Sequence, residues 1–110
     1  MTFMTVAAAQ ELPDGGRIVV EMGELWVAVF NVGGTLYAIE DRCTHDDGPL
    51  AEGELDGDVI ECPRHGAKFN LQTGKATLPA AAPVPRYAVR VEGDQVQVDT
   101  DQILNQAHFK

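Results

Sequence analysis

Two cysteines and two histidines dominate the chemistry available to this chain. Cys43-Thr44-His45 and Cys62-Pro63-Arg64-His65 each place one sulfur and one imidazole close together, and sixteen residues separate His45 from Cys62. There is no further cysteine, and the remaining histidine, His108, stands near the end of the chain, where it reads as a solvated tail residue. A thiolate and a neutral imidazole are both good donors to borderline-soft metals. The repeated mixed half-site therefore points to a metal centre assembled from two loops. Zinc is one occupant of a Cys2His2 set, but zinc modules usually pair their thiolates as C-x2-4-C, and here each loop mixes sulfur with nitrogen. A Cys–His nucleophile would use one half and leave the other without a role.

The rest of the chain must position those loops. Its 110 residues suffice for one small domain spanning 1–110, and 45% apolar content takes it out of the disordered class. A net charge of −9 disfavours phosphate backbones and anionic lipid surfaces, so nucleic-acid and membrane binding are not expected. No apolar run approaches the ~20 residues that span a bilayer. The Ala7-Ala8-Ala9 run superficially resembles a signal-peptidase site, but the first basic residue is Arg17, so no positive n-region precedes it, and the chain reads as cytoplasmic. Two cysteines are too few for a disulfide-built miniprotein.

Glycine and proline cut the sequence into short β-rich runs. Strands are expected at Thr2–Val6, Arg17–Glu21, Leu25–Asn31, Thr35–Glu40, Asp58–Glu61, Lys68–Leu71, Lys75–Leu78, Tyr87–Val91 and Gln95–Asp99. A helical turn fits Ala7–Gln10, and the Glu92-Gly93-Asp94 turn gives the strongest hairpin signal. Residues 41–57 show neither period and read as loop. Leu78–Pro85 is extended because proline disfavours helix and central strand. The segment after Thr100 frays or forms a short helix. Trp26 and Tyr37 are expected in the core. The fold class is all-β, a small antiparallel sandwich or partly open barrel.

The segments Cys43-Thr44-His45-Asp46-Asp47-Gly48-Pro49-Leu50 and Cys62-Pro63-Arg64-His65-Gly66-Ala67-Lys68-Phe69 resemble the Rieske family of [2Fe–2S] proteins. The resemblance implies a two-loop cluster-binding subdomain at about 41–85. In it Cys43 and Cys62 bind one iron, and His45 and His65 bind the other. It also implies that a proline-rich segment covers the cluster, a role for Pro79 or Pro83 that competes with that of a plain connector. Gly66 fits a close backbone approach to the cluster.

The ligand set has a redox consequence. The ferric core is doubly positive. Four thiolates would make the site a dianion, whereas two thiolates and two neutral imidazoles leave it uncharged and easier to reduce. Such clusters lie at roughly −150 to +300 mV, against roughly −400 mV for all-cysteine plant-type ferredoxins. High-potential members carry an extra cysteine in each loop, where this chain has Gly48 and Arg64. They also carry a serine and a tyrosine where it has Ala67 and Phe69, which cannot donate hydrogen bonds to cluster sulfur. The expectation is a midpoint near roughly −150 mV, nearly flat with pH around neutrality.

The resemblance implies a one-electron carrier without catalytic residues of its own, similar to the stand-alone ferredoxins of aromatic-ring-hydroxylating systems. Its expected partners are an NAD(P)H-dependent flavoprotein reductase and a terminal oxygenase, docking transiently near His45 and His65. Asp46, Asp47, Glu52 and Glu54 could steer a basic partner. Two other functions compete: the small Rieske subunit of a nitrite-reductase-type enzyme, and a structural zinc-binding interaction module.

Overall fold

The computed structural model describes residues 3–44, 48–64, 66–80 and 82–105. Among these residues nine strands form, in chain order: β1 (Met4–Ala8), β2 (Arg17–Met22), β3 (Leu25–Val32), β4 (Thr35–Glu40), β5 (Glu54–Asp56), β6 (Val59–Glu61), β7 (Lys68–Asn70), β8 (Arg86–Glu92) and β9 (Gln95–Ile103). A short 3-10 turn, Ala9–Glu11, follows β1. Six strands make one antiparallel sheet in the order β1-β9-β8-β4-β3-β2, and the other three make a second sheet, β5-β6-β7. The architecture is the all-β, partly open barrel expected from the sequence.

Local turn chemistry builds most of it. The β2–β3, β3–β4, β5–β6 and β8–β9 connections are all two-residue hairpins opening on glycine: Gly23, Gly33, Gly57 and Gly93. At Gly33-Gly34 both residues have positive φ, 62° and 93°, the conformation that matches hairpin twist and that side chains resist.

Strand β3 is the hinge of the packing. Its alternate residues face two different cores. Val27 and Val29 point into the barrel with Leu12, Ala38, Tyr87, Val96 and Val98. Ala28 and Phe30 point outward into a second core with Ile39, Leu50, Ile60, Phe69 and Val84, which also contains Cys43 and Cys62. Burial on both faces explains the unbroken apolar run Val27–Phe30. Each large side chain so buried contributes about 1.5–3 kcal/mol, so the site region is welded to the outer barrel face largely by Phe30 and Ile39.

The structure differs from the sequence expectation in four places. Glu54–Asp56, placed in a loop, is a strand: its one apolar residue, Leu55, packs inward while both acids face out, a signal too short to read. Lys75–Leu78 is not a strand. Its pairing with β7 shrinks to one bridge, Phe69 to Ala76, because the chain turns at Thr77–Ala80, where the Ala80 N–H donates to the Thr77 carbonyl. The segment after Thr100 continues β9 through Ile103. A bulge there is braced by the buried Asp99, whose carboxylate accepts from the Asp101 N–H and the Gln102 amide. Trp26 is 53% exposed: it shares the outward face of β3 with Ala28 and Phe30, but the loops that cover those two leave it open. Tyr37 packs partly buried against the second core.

Candidate metal centre

Each cysteine opens a tight loop and closes it with its own backbone. The Cys43 N–H donates to the carbonyl of Gly48 at 2.7 Å, and the Cys62 N–H donates to the carbonyl of Ala67, also at 2.7 Å. Both bonds join a residue to the one five positions later, so the two half-sites are closed alike, and in each the histidine stands between the bonded residues in sequence. His45 and His65 themselves lie outside the described residues. Both thiols are buried, neither is in a disulfide, and both belong to the same packed cluster.

Loop one leaves β4 at Asp41. The Asp41 N–H donates to the carbonyl of Trp26, and its Oδ1 accepts from the N–H groups of Leu50 (2.8 Å) and Ala51 (2.7 Å), drawing the two arms of the loop together. From the other side Arg17 on β2 donates through Nη1 to the carbonyls of Ala51 (2.8 Å) and Gly53 (2.6 Å). Gly53 lies against β6 so closely that a Cβ there would collide with the carbonyl oxygen of Glu61, the residue before Cys62.

Loop two is shorter. Gly66, with φ 76°, donates its N–H to the Cys62 carbonyl at 3.1 Å. Ala67 and Phe69 follow, both fully buried in the cluster that holds the thiols.

The proline-rich segment contributes more than connection. It buries Ala80 and Val84 in that same cluster, and the Thr44 hydroxyl donates to the Ala82 carbonyl at 2.5 Å. Its far end is clipped to the barrel. Asn105 donates to the Val84 carbonyl at 2.8 Å and accepts from the Arg86 N–H at 2.9 Å, while Arg86 Nε donates to the Leu71 carbonyl at 2.7 Å.

Two buried, unbridged thiols on loops of matching construction fit a shared metal cluster well. Among the described residues no three His, Cys, Asp or Glu side chains gather by themselves into a metal site, because the two imidazoles fall outside that set. Reasoning from sequence missed Arg17, Asp41 and Asn105 as supports. Their partners are backbone groups far along the chain, which leave no mark in residue spacing.

The Rieske [2Fe-2S] domain model matches residues 2–88. The chain is 41% identical over 102 residues to the ferredoxin component of biphenyl 2,3-dioxygenase from Rhodococcus jostii (strain RHA1), covering 92% of this chain and 95% of that one. It is 44% identical over 91 residues to the 3-phenylpropionate/cinnamic acid dioxygenase ferredoxin subunit of Escherichia coli (strain K12), covering 81% and 85%. Among solved structures, a complex of reduced oxygenase and oxidized ferredoxin in carbazole 1,9a-dioxygenase contains a chain that superposes with a TM-score of 0.87 at 40% identity, covering 94% of this chain and 97% of that one. The ferredoxin of carbazole 1,9a-dioxygenase from Nocardioides aromaticivorans IC177 follows at 0.82 and 33%, covering 89% and 97%.

The chain belongs to the Rieske [2Fe–2S] family. It holds one Rieske-type cluster and works as an electron-carrying ferredoxin, the component that serves an oxygenase and is not itself the oxygenase. The zinc reading gives way to this match. No helix among the described residues is long and apolar enough to cross a membrane.

Proposed function

We propose that Cys43 and Cys62 hold one iron of the cluster and His45 and His65 the other. The matching six-residue closures carry this reading: the Cys43–Gly48 and Cys62–Ala67 bonds each bracket one histidine in sequence, in loops that bury their thiols in a common core. The cluster, when bound, supplies storage for a single electron. The protein's own residues do the rest. Leu50, Phe69, Ala80 and Val84 exclude water from the sulfur side. Thr44 ties the first loop to the proline-rich segment. Residues 41–85 form the cluster-binding subdomain of one Rieske unit over 1–110.

The carrier takes electrons from an NAD(P)H-dependent flavoprotein reductase in the cytoplasm and delivers them one at a time to a terminal ring-hydroxylating oxygenase. It docks with both near His45 and His65. The names of its relatives support this reading. Ala67 and Phe69, buried beside the thiols without a hydroxyl to offer, support a midpoint at the low end of the Rieske range, near roughly −150 mV.

The test is EPR of the dithionite-reduced protein, repeated on His45→Ala and His65→Ala. The expected result is a Rieske signal in the parent that is lost or changed in both variants. An unchanged signal in either one removes that histidine from the ligand set.

A further inference from the structure

We infer that Arg17, on the edge barrel strand β2, is a positioning residue that sets the register of one half-site against the other. This inference rests on the cluster assignment above and deepens it. Arg17 pairs with Phe30 across β2 and β3, and its guanidinium carbon stands 5.9 Å from the centre of the Phe30 ring, which is part of the core holding both thiols. Among the described residues no carboxylate lies within ion-pair distance of it. Its guanidinium donates instead to two backbone carbonyls, those of Ala51 and Gly53.

Those carbonyls belong to the turn that joins the half-sites. On one side the turn is tied by the Leu50 and Ala51 N–H groups to Asp41, at the root of the Cys43 loop. On the other, Gly53 lies directly on the Glu61 carbonyl, one residue before Cys62. Ala51 is held at both ends of its residue, N–H to a carboxylate and C=O to a guanidinium. Charge-assisted bonds of this kind are stronger than neutral ones, and a planar guanidinium can meet two carbonyls in fixed directions. Arg17 thereby wedges the turn against β6. Its fixed positive charge also favours the added electron, since a reduced cluster is more negative than an oxidised one.

The experiment compares the holoprotein with Arg17→Met and Arg17→Lys by three readouts: EPR of the reduced state, midpoint potential, and hydrogen exchange of peptides covering 48–56. Arg17→Met should shift the g values, lower the midpoint, and speed exchange in that segment about tenfold or more. Arg17→Lys keeps the charge but lacks the planar Nη1 group that meets both carbonyls, so it should restore the midpoint and leave the g values shifted. Parent g values and midpoint in Arg17→Met overturn the inference, even if the variant melts earlier, because a plain brace would alter stability alone. If Arg17→Met does not hold the cluster, Arg17→Lys decides: shifted g values support the role and parent values overturn it. A parent protein without the Rieske signal would overturn the cluster assignment itself, and this inference with it.

Discussion

The six-stranded sheet and the three-stranded region beside it are held together by different means. The barrel strands run five to nine residues, pair in long ladders and meet at two-residue turns. Strands β5, β6 and β7 have three residues each, too few to be stable alone. Their region is fastened by side chains gripping distant backbone: Asp41 to Leu50 and Ala51, Arg17 to Ala51 and Gly53, Thr44 to Ala82, and the Lys68 N–H to the Thr77 hydroxyl. A regular ladder makes a scaffold. Individually tied loops let two thiols be set in a geometry that no regular element supplies. The site region therefore depends on its ties and its cluster for order, and the barrel does not.

Removing the cluster should expose this difference most strongly. In the apoprotein, hydrogen exchange should accelerate about tenfold or more in β5–β7 and both cysteine loops, while β3 and β9 keep their protection. Equal acceleration in both regions would show that they unfold as one and would erase the distinction.

A smaller effect is expected at the seam. Gly53→Ala forces a methyl into the Glu61 carbonyl, so it should cost about 1–3 kcal/mol in thermal or denaturant unfolding and lower the cluster content. Gly57→Ala adds the same side chain at a hairpin tip with open space around it, so its cost is that of a positive φ of 61° and not of a clash.

Phe69→Tyr probes electronic tuning at a fully buried position. A new hydroxyl donating to cluster sulfur, at about 1.4 kcal/mol for a charge-assisted bond, corresponds to ~60 mV for one electron, so redox titration should find the midpoint raised by that order. An unmoved midpoint would mean that the hydroxyl does not reach the cluster.

The barrel has its own signature, confined to alkaline pH. Burial, with a smaller contribution from the Glu40 carboxylate, pushes Tyr87 up to about 12, while Arg42 works weakly the other way. The unfolded chain deprotonates this tyrosine near its ordinary value of 10.0. The neutral form belongs to the folded state, so its contribution is complete below pH 10 and is lost as pH rises toward about 12. Denaturation midpoints should fall across that window in the parent and less steeply in Tyr87→Phe.

The same contrast governs what the sequence made legible. Thr35–Glu40 matched to the residue, and the hairpin turns were readable from Gly33-Gly34 and Gly93-Asp94, because turn chemistry and alternation are local. The four proposed donor residues stood out for a similar reason, since residue type and spacing are written along the chain. What supports them was hidden. Leu55 gives β5 one inward residue, which is no pattern, and Trp26 looked like core because nothing in LWVAVFN says where the covering loops stop. Arg17 and Asp41 act across the fold on carbonyls and N–H groups that every residue carries.

Iron and acid-labile sulfide analysis of anaerobically purified protein, read together with its zinc content, tests the central claim most directly. The account predicts two irons and two inorganic sulfides per chain with no stoichiometric zinc. A single metal ion per chain without sulfide would contradict it.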